Sequence, residues 1–92
     1  GSRTAVLGAT DEYALHCLNM CRDLGMEAGK DIGIMGFDNL NLLKYVTPDL
    51  ATVGYSRDIL GRKAFSTVLD MINNKRVKDI VIKHSVISGE SL

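Results

Sequence analysis

The chain has 92 residues, of which 46% are apolar and 24% charged, a balance that suits one small globular domain. Eleven basic residues match eleven acidic ones, which argues against a face that grips nucleic-acid phosphates unaided, since such a face carries a basic excess. No apolar run approaches the roughly 18 residues that span a bilayer and no secretory leader is visible, so neither a membrane partner nor export is expected.

The chain opens on Gly1-Ser2 rather than Met. That pair reads as the remnant of an expression tag and makes Arg3 an expected internal position of a longer protein. Ala5-Val6-Leu7 is a short apolar run of the kind that forms a strand buried on both faces of a parallel sheet. Thr10 or Asp11 is expected to cap the next helix, with Asp11 and Glu12 at the positive end of its dipole. Ala14, Cys17, Leu18, Cys21 and Leu24 recur at helical spacing up to a stop at Gly25. Ile32 to Phe37 reads as a second buried strand, which completes a unit of βαβ length, a crossover that is nearly always right-handed and parallel.

Asp38 to Pro48 lacks a clean period and reads as loop with a short helical turn. Pro48 is the sole proline and pushes Thr47 towards extended backbone. Ala51 to Tyr55 reads as a third strand, and Ser56 as the cap of a second helix. Gly61, Ala64, Phe65, Val68, Leu69 and Ile72 make that helix's apolar stripe, and Asn73-Asn74 ends it. Ile80, Val81, Ile82, Val86 and Ile87 form a β-branched tail, read as one or two strands with a break at His84-Ser85. The order β-α-β-(turn)-β-α-β predicts an α/β fold with an open parallel sheet. Ligands of such sheets sit beyond the carboxyl ends of the strands, which marks Gly8 to Asp11, Phe37 to Asn39 and Gly54 to Ser56.

Cys17 and Cys21 share a helix face, but His16 points away from it and His84 is remote in sequence. Two thiols without further ligands do not close a zinc site, so packing in the core is the expected role. Free thiols also suit a reducing cytoplasm. Gly8, Gly25 and Gly29 lack the spacing of a phosphate-binding loop, and no nucleophile is arranged beside a base. No catalytic residue, metal site or cofactor is expected.

Several short strings together resemble the LacI/GalR family of bacterial transcription regulators. Thr4-Ala5-Val6-Leu7 followed by Thr10-Asp11-Glu12-Tyr13-Ala14-Leu15 is similar to the family's "TAV…NDxxAxG" segment. Asp31 to Asn39, reading DIGIMGFDN, resembles "DVSVVGFDD/N", and Tyr45 to Val53, reading YVTPDLATV, resembles "YxTPPLTTV". Leu60-Gly61-Arg62-Lys63-Ala64 resembles "LGxxA", and the tail resembles "xLVxRES". The matches occur in family order and spacing over almost the whole chain.

The resemblance implies a two-lobed effector domain of the type I periplasmic-binding-protein kind, of which this chain is part of the C-terminal portion. Residues 3–54 are then mostly C-terminal lobe, and 55–92 hold the crossover near Tyr55, a helix against the other lobe and the final strands. A small molecule, a sugar or a nucleobase-like metabolite, would bind between the lobes and alter operator affinity. DNA would be held only through a headpiece absent from this chain, in a cytoplasmic homodimer whose interface includes the helix bearing His16.

Within that frame Asp38 matches the family's ligand-binding Asp, against the alternative of a turn residue bonding its own backbone. Thr10 stands where the family has an Asn, and has one hydroxyl where Asn offers a donor and an acceptor. Thr10 and Asp11 are thus each either ligand contacts or a plain helix cap. Tyr55 stands where many members carry a polar contact, and is either a stacking, hydrogen-bonding partner of the ligand or a half-buried strand residue. The rival readings are a periplasmic sugar-binding protein, decided by what precedes Arg3, and a receiver-like interaction module. The latter needs an acidic cluster, for which Asp11 and Asp38 are the available residues. An uncovered sheet edge and helix faces also predict self-association of the chain.

Overall fold

A computed structural model of the chain describes residues 3–92; the expected tag remnant, Gly1-Ser2, lies outside the described residues. The elements are β1 (Ala5–Leu7), α1 (Asp11–Asp23), β2 (Gly33–Met35), a 3-10 turn (Asn41–Tyr45), β3 (Thr52–Tyr55), α2 (Arg57–Ile72) and β4 (His84–Ile87). Their order is the one expected from the hydrophobic pattern, and the fold is α/β.

The chain divides into two units, Gly1–Gly54 with Ser85–Leu92, and Tyr55–His84. In the first unit β1 and β2 run parallel, with Ala5 opposite Gly33, Val6 opposite Ile34 and Leu7 opposite Met35. A parallel bridge joins Met35 to Ala51 just before β3, and β3 pairs with β4. Helix α1 returns the chain between β1 and β2. Thr10 caps it by accepting the Tyr13 N–H at 3.5 Å, and Asp11 and Glu12 fill its first turn. The helix ends at Leu24, after which Gly25 takes a φ of 68°, a conformation that glycine adopts without steric cost.

The buried face of α1 supplies Ala14, Leu18 and Cys21 to a core completed by Ile34 and Leu50, with Cys17 packed at its margin. Cys21 thus behaves as a small apolar residue. The C-terminal tail seals the gap between β2 and β3. Ser91 is fully buried; its hydroxyl accepts the Ala51 N–H at 2.9 Å and donates to Ile34 O at 2.7 Å. Its backbone accepts from Ile34 N at 2.7 Å and donates to Asp49 O at 3.0 Å. A segment with little apolar content therefore joins two strands that share only one bridge.

In the second unit Ser56 caps α2 through the Ile59 N–H at 3.1 Å, Arg62 pairs with Asp58 one turn back, and Asn74 closes the helix end at φ 58°. No residue of α2 is buried. Phe65 and Ile72 are each 68% exposed, and Val68 and Leu69 are exposed as well, so the expected apolar stripe exists but is uncovered among the described residues.

Two expectations need correction. β1 is not buried on both faces: Ala5 is exposed and Leu7 is 68% exposed, because α1 packs on β2 and leaves these side chains uncovered among the described residues. The tail is a single strand that begins at His84, where a break was expected, and Ile80-Val81-Ile82 lie outside it. β-branched residues favour strands only where a partner edge is offered, and the edge of β3 is met by His84–Ile87 instead.

Candidate functional site

The carboxyl ends of β1 and β2 bring Thr10, Asp11 and Asp38 into one group of loops. Their arrangement starts from Gly36. This residue ends the β2 segment with its N–H donating to Ala51 O at 2.8 Å, and a Cβ here would collide with Asp11 Oδ1 and lie 3.0 Å from Asp11 Cα. The missing side chain lets the first residue of α1 lie directly against the exit of β2. Phe37 O then accepts the Asp11 N–H at 2.9 Å, and the Asp38 N–H donates to Val53 O at 2.9 Å.

Asp38 and Asn39 both have positive φ, 116° and 56°. Asp and Asn tolerate that region better than other non-glycine residues, yet such conformations cost about 1–3 kcal/mol each and persist where the surroundings over-determine them. Here the surroundings are Asp11 and Thr52. Asp11 is fully buried and accepts the Thr52 hydroxyl at 2.6 Å and the Leu40 N–H at 2.7 Å. Thr52, also fully buried, accepts the Asn39 N–H at 3.3 Å. Asp38 itself is half-buried at the end of this loop.

The candidate residues therefore separate by role. Thr10 is the helix cap and remains half-buried at the strand ends. Asp11 is not the cap. Both its oxygens are engaged and it has no exposed surface, so Asp11 and Asp38 do not form the open acidic pair that a receiver-like module needs. Tyr55 is the last residue of β3, half-buried, and belongs to the second unit. Thr52, Gly36 and Ser91 were not singled out from the sequence. The available signal for Thr52 was a hydroxyl residue within a short apolar strand; its partner lies 41 residues away, which no local pattern reports. A groove of about 430 Å³ lies at the far end of α1, lined by Arg22, Met26, Lys30, Pro48 and Glu90 among others, and none of Thr10, Asp11 or Asp38 borders it. The polar convergence at the strand ends is the better guide, since ligands of open α/β sheets collect there.

Among the described residues no group of three or more His, Cys, Asp or Glu side chains is placed to hold a metal ion, and no helix is long and apolar enough to cross a membrane. Over 73 residues, 79% of its length, the chain is 41% identical to the HTH-type transcriptional repressor PurR of Proteus mirabilis, of which it spans 21%. It superposes on a sugar-binding transcriptional regulator of the LacI family from Enterococcus faecalis with a TM-score of 0.82 and 32% identity, covering 94% of this chain and 32% of that one. It also superposes on the Lac repressor dimer bound to operator and the anti-inducer ONPF, with a TM-score of 0.82, 25% identity, and 96% and 31% coverage. Residues 2–92 match the periplasmic binding protein-like domain. With that match over the whole described chain, and with relatives of the LacI type, the chain belongs to the periplasmic binding protein-like domain family.

Proposed function

We propose that the chain is the effector-sensing portion of a cytoplasmic, homodimeric transcription regulator, acting without catalysis. In this reading a small molecule, a sugar or a related metabolite, binds between two lobes, and its preference for one closure state changes operator affinity. The observation that carries it is Asp38: a carboxylate at the carboxyl end of β2, on a loop held in two positive-φ conformations beside Thr10. Strained, over-determined backbone is the mark of a site where geometry matters. Asp38 accepts hydrogen bonds from ligand hydroxyl or amine groups, and Thr10 adds a polar contact. The relative named as a sugar-binding regulator supports the ligand class, and the repressor names support the regulatory role. DNA is held by a headpiece outside these residues.

The test is calorimetric titration of the full-length protein with D-ribose, D-glucose, D-galactose, adenine, guanine and hypoxanthine. Saturable binding of one of them, with a shift in operator affinity, is the expected result. Absence of both across the panel would count against this ligand class, and operator affinity that ignores a bound ligand would count against the sensing role.

A further inference from the structure

Resting on the reading of Asp38 as an effector contact, we propose that Asp11 and Thr52 are positioning residues, which fix the loop that presents Asp38 without touching the effector. Four successive residues of that loop are each held by one backbone group. Phe37 O accepts from Asp11 N, and Asp38 N–H donates to Val53 O, both at 2.9 Å. Asn39 N–H donates to Thr52 Oγ1 at 3.3 Å, and Leu40 N–H donates to Asp11 Oδ2 at 2.7 Å. The Thr52 hydroxyl closes the ring on Asp11 Oδ1 at 2.6 Å. One carboxylate–hydroxyl pair therefore captures the two amides that follow Asp38.

The chemistry of the pair fits the task. Both Asp11 oxygens face donors, and an ionised carboxylate is the side chain that only accepts. An Asn there could keep the Leu40 bond only by turning its NH2 group onto Thr52 Oγ1, which reverses that bond and takes away the acceptor of the Thr52 hydroxyl proton. Asp11 also lies in the first turn of α1, so the pair ties the start of that helix to the loop. With both residues fully buried, neither reaches a ligand in the cleft. Their influence on binding passes through the backbone of Asp38 and Asn39, whose φ values of 116° and 56° persist where the surroundings over-determine them.

The experiment compares full-length wild type with Thr52→Val, Thr52→Ser, Asp11→Ala and Asp38→Ala. Amide hydrogen exchange is read at Asn39 and Leu40, and affinity for the tightest-binding member of the sugar and nucleobase panel is read by calorimetry. Thr52→Val keeps the shape and removes the hydroxyl, so it protects the test if Asp11→Ala does not fold. It is expected to raise exchange and to weaken binding, each about tenfold, the equivalent of one lost hydrogen bond. Thr52→Ser is expected to lose stability with its buried methyl, yet to keep near-wild-type exchange and affinity, a separation that a merely structural role does not produce.

Thr52→Val with unchanged affinity, or with unchanged exchange, would overturn the proposal, as would Thr52→Ser behaving like Thr52→Val. Weakening by Thr52→Val without weakening by Asp38→Ala would overturn Asp38 as the contact while supporting the loop-setting pair. If no panel member binds, the effector class fails on its own, and the exchange arm with its Ser rescue still decides whether the ring fixes the loop.

Discussion

Replacing Gly36 with Ala would build a methyl carbon onto Asp11 Oδ1, 3.0 Å from Asp11 Cα and 3.2 Å from the Leu50 side chain. The helix start and the core Leu leave no room to step aside, so relief requires the Asp11 carboxylate to swing away. That movement gives up the 2.6 Å bond from Thr52. A hydrogen bond to a charged group contributes about 1.5–3 kcal/mol, and crowding a packed site costs about 1–3 kcal/mol. A loss of about 2.5–6 kcal/mol is expected, a large part of the roughly 5–15 kcal/mol that holds a domain folded. The same substitution at Gly61 makes an internal control. A Cβ there meets nothing within 4 Å, in the middle of α2, so Gly61→Ala is expected to stabilise by about 0.5–1 kcal/mol through helix propensity. Urea unfolding of the chain followed by circular dichroism reads both. Gly36→Ala within about 1 kcal/mol of the parent would refute the placement of the Asp11 carboxylate against the exit of β2.

Ser91→Ala removes a buried acceptor from Ala51 N–H and a donor to Ile34 O; a loss of about 1–3 kcal/mol in the same unfolding assay is expected, and no loss would mean that the tail does not bridge β2 and β3. Gly29 has a φ of 91° and its added Cβ would overlap Glu90 O, so Gly29→Ala is expected to cost about 1–3 kcal/mol; a neutral result would place the Glu90 carbonyl elsewhere. The uncovered stripe of α2, with Phe65 and Ile72 each 68% exposed, is expected to make the chain self-associate at micromolar concentration. Sedimentation velocity showing dimers or larger species, dispersed by Phe65→Glu, fits that expectation; a clean monomer contradicts it.

What the sequence disclosed followed the range of the signals. Element order came from local periods of 2 and 3.6, and the helix ends from Thr10, Gly25, Ser56 and Asn73-Asn74. These need only neighbours a few residues away, and they matched. Ile80-Val81-Ile82 has the stronger strand composition, yet the strand formed at His84–Ile87, because pairing is decided by the distant edge of β3. The apolar run around Leu7 reads as a strand buried on both faces, yet Leu7 is 68% exposed, uncovered among the described residues. The loops at the strand ends were legible from topology, with Asp38 among them at the exit of β2. The Asp11–Thr52 bond was not, since it joins residues 41 apart, and a buried acid next to a helix cap reads locally as part of that cap.

The central claim, that Asp38 contacts a small-molecule effector, is tested most directly by titrating full-length wild type and Asp38→Ala with whichever panel sugar or nucleobase the wild type binds. Loss of the contact leaves a ligand donor unsatisfied, so affinity is expected to fall by roughly 1–3 kcal/mol, about five- to 150-fold. Equal affinity of the two proteins by calorimetry would contradict the account.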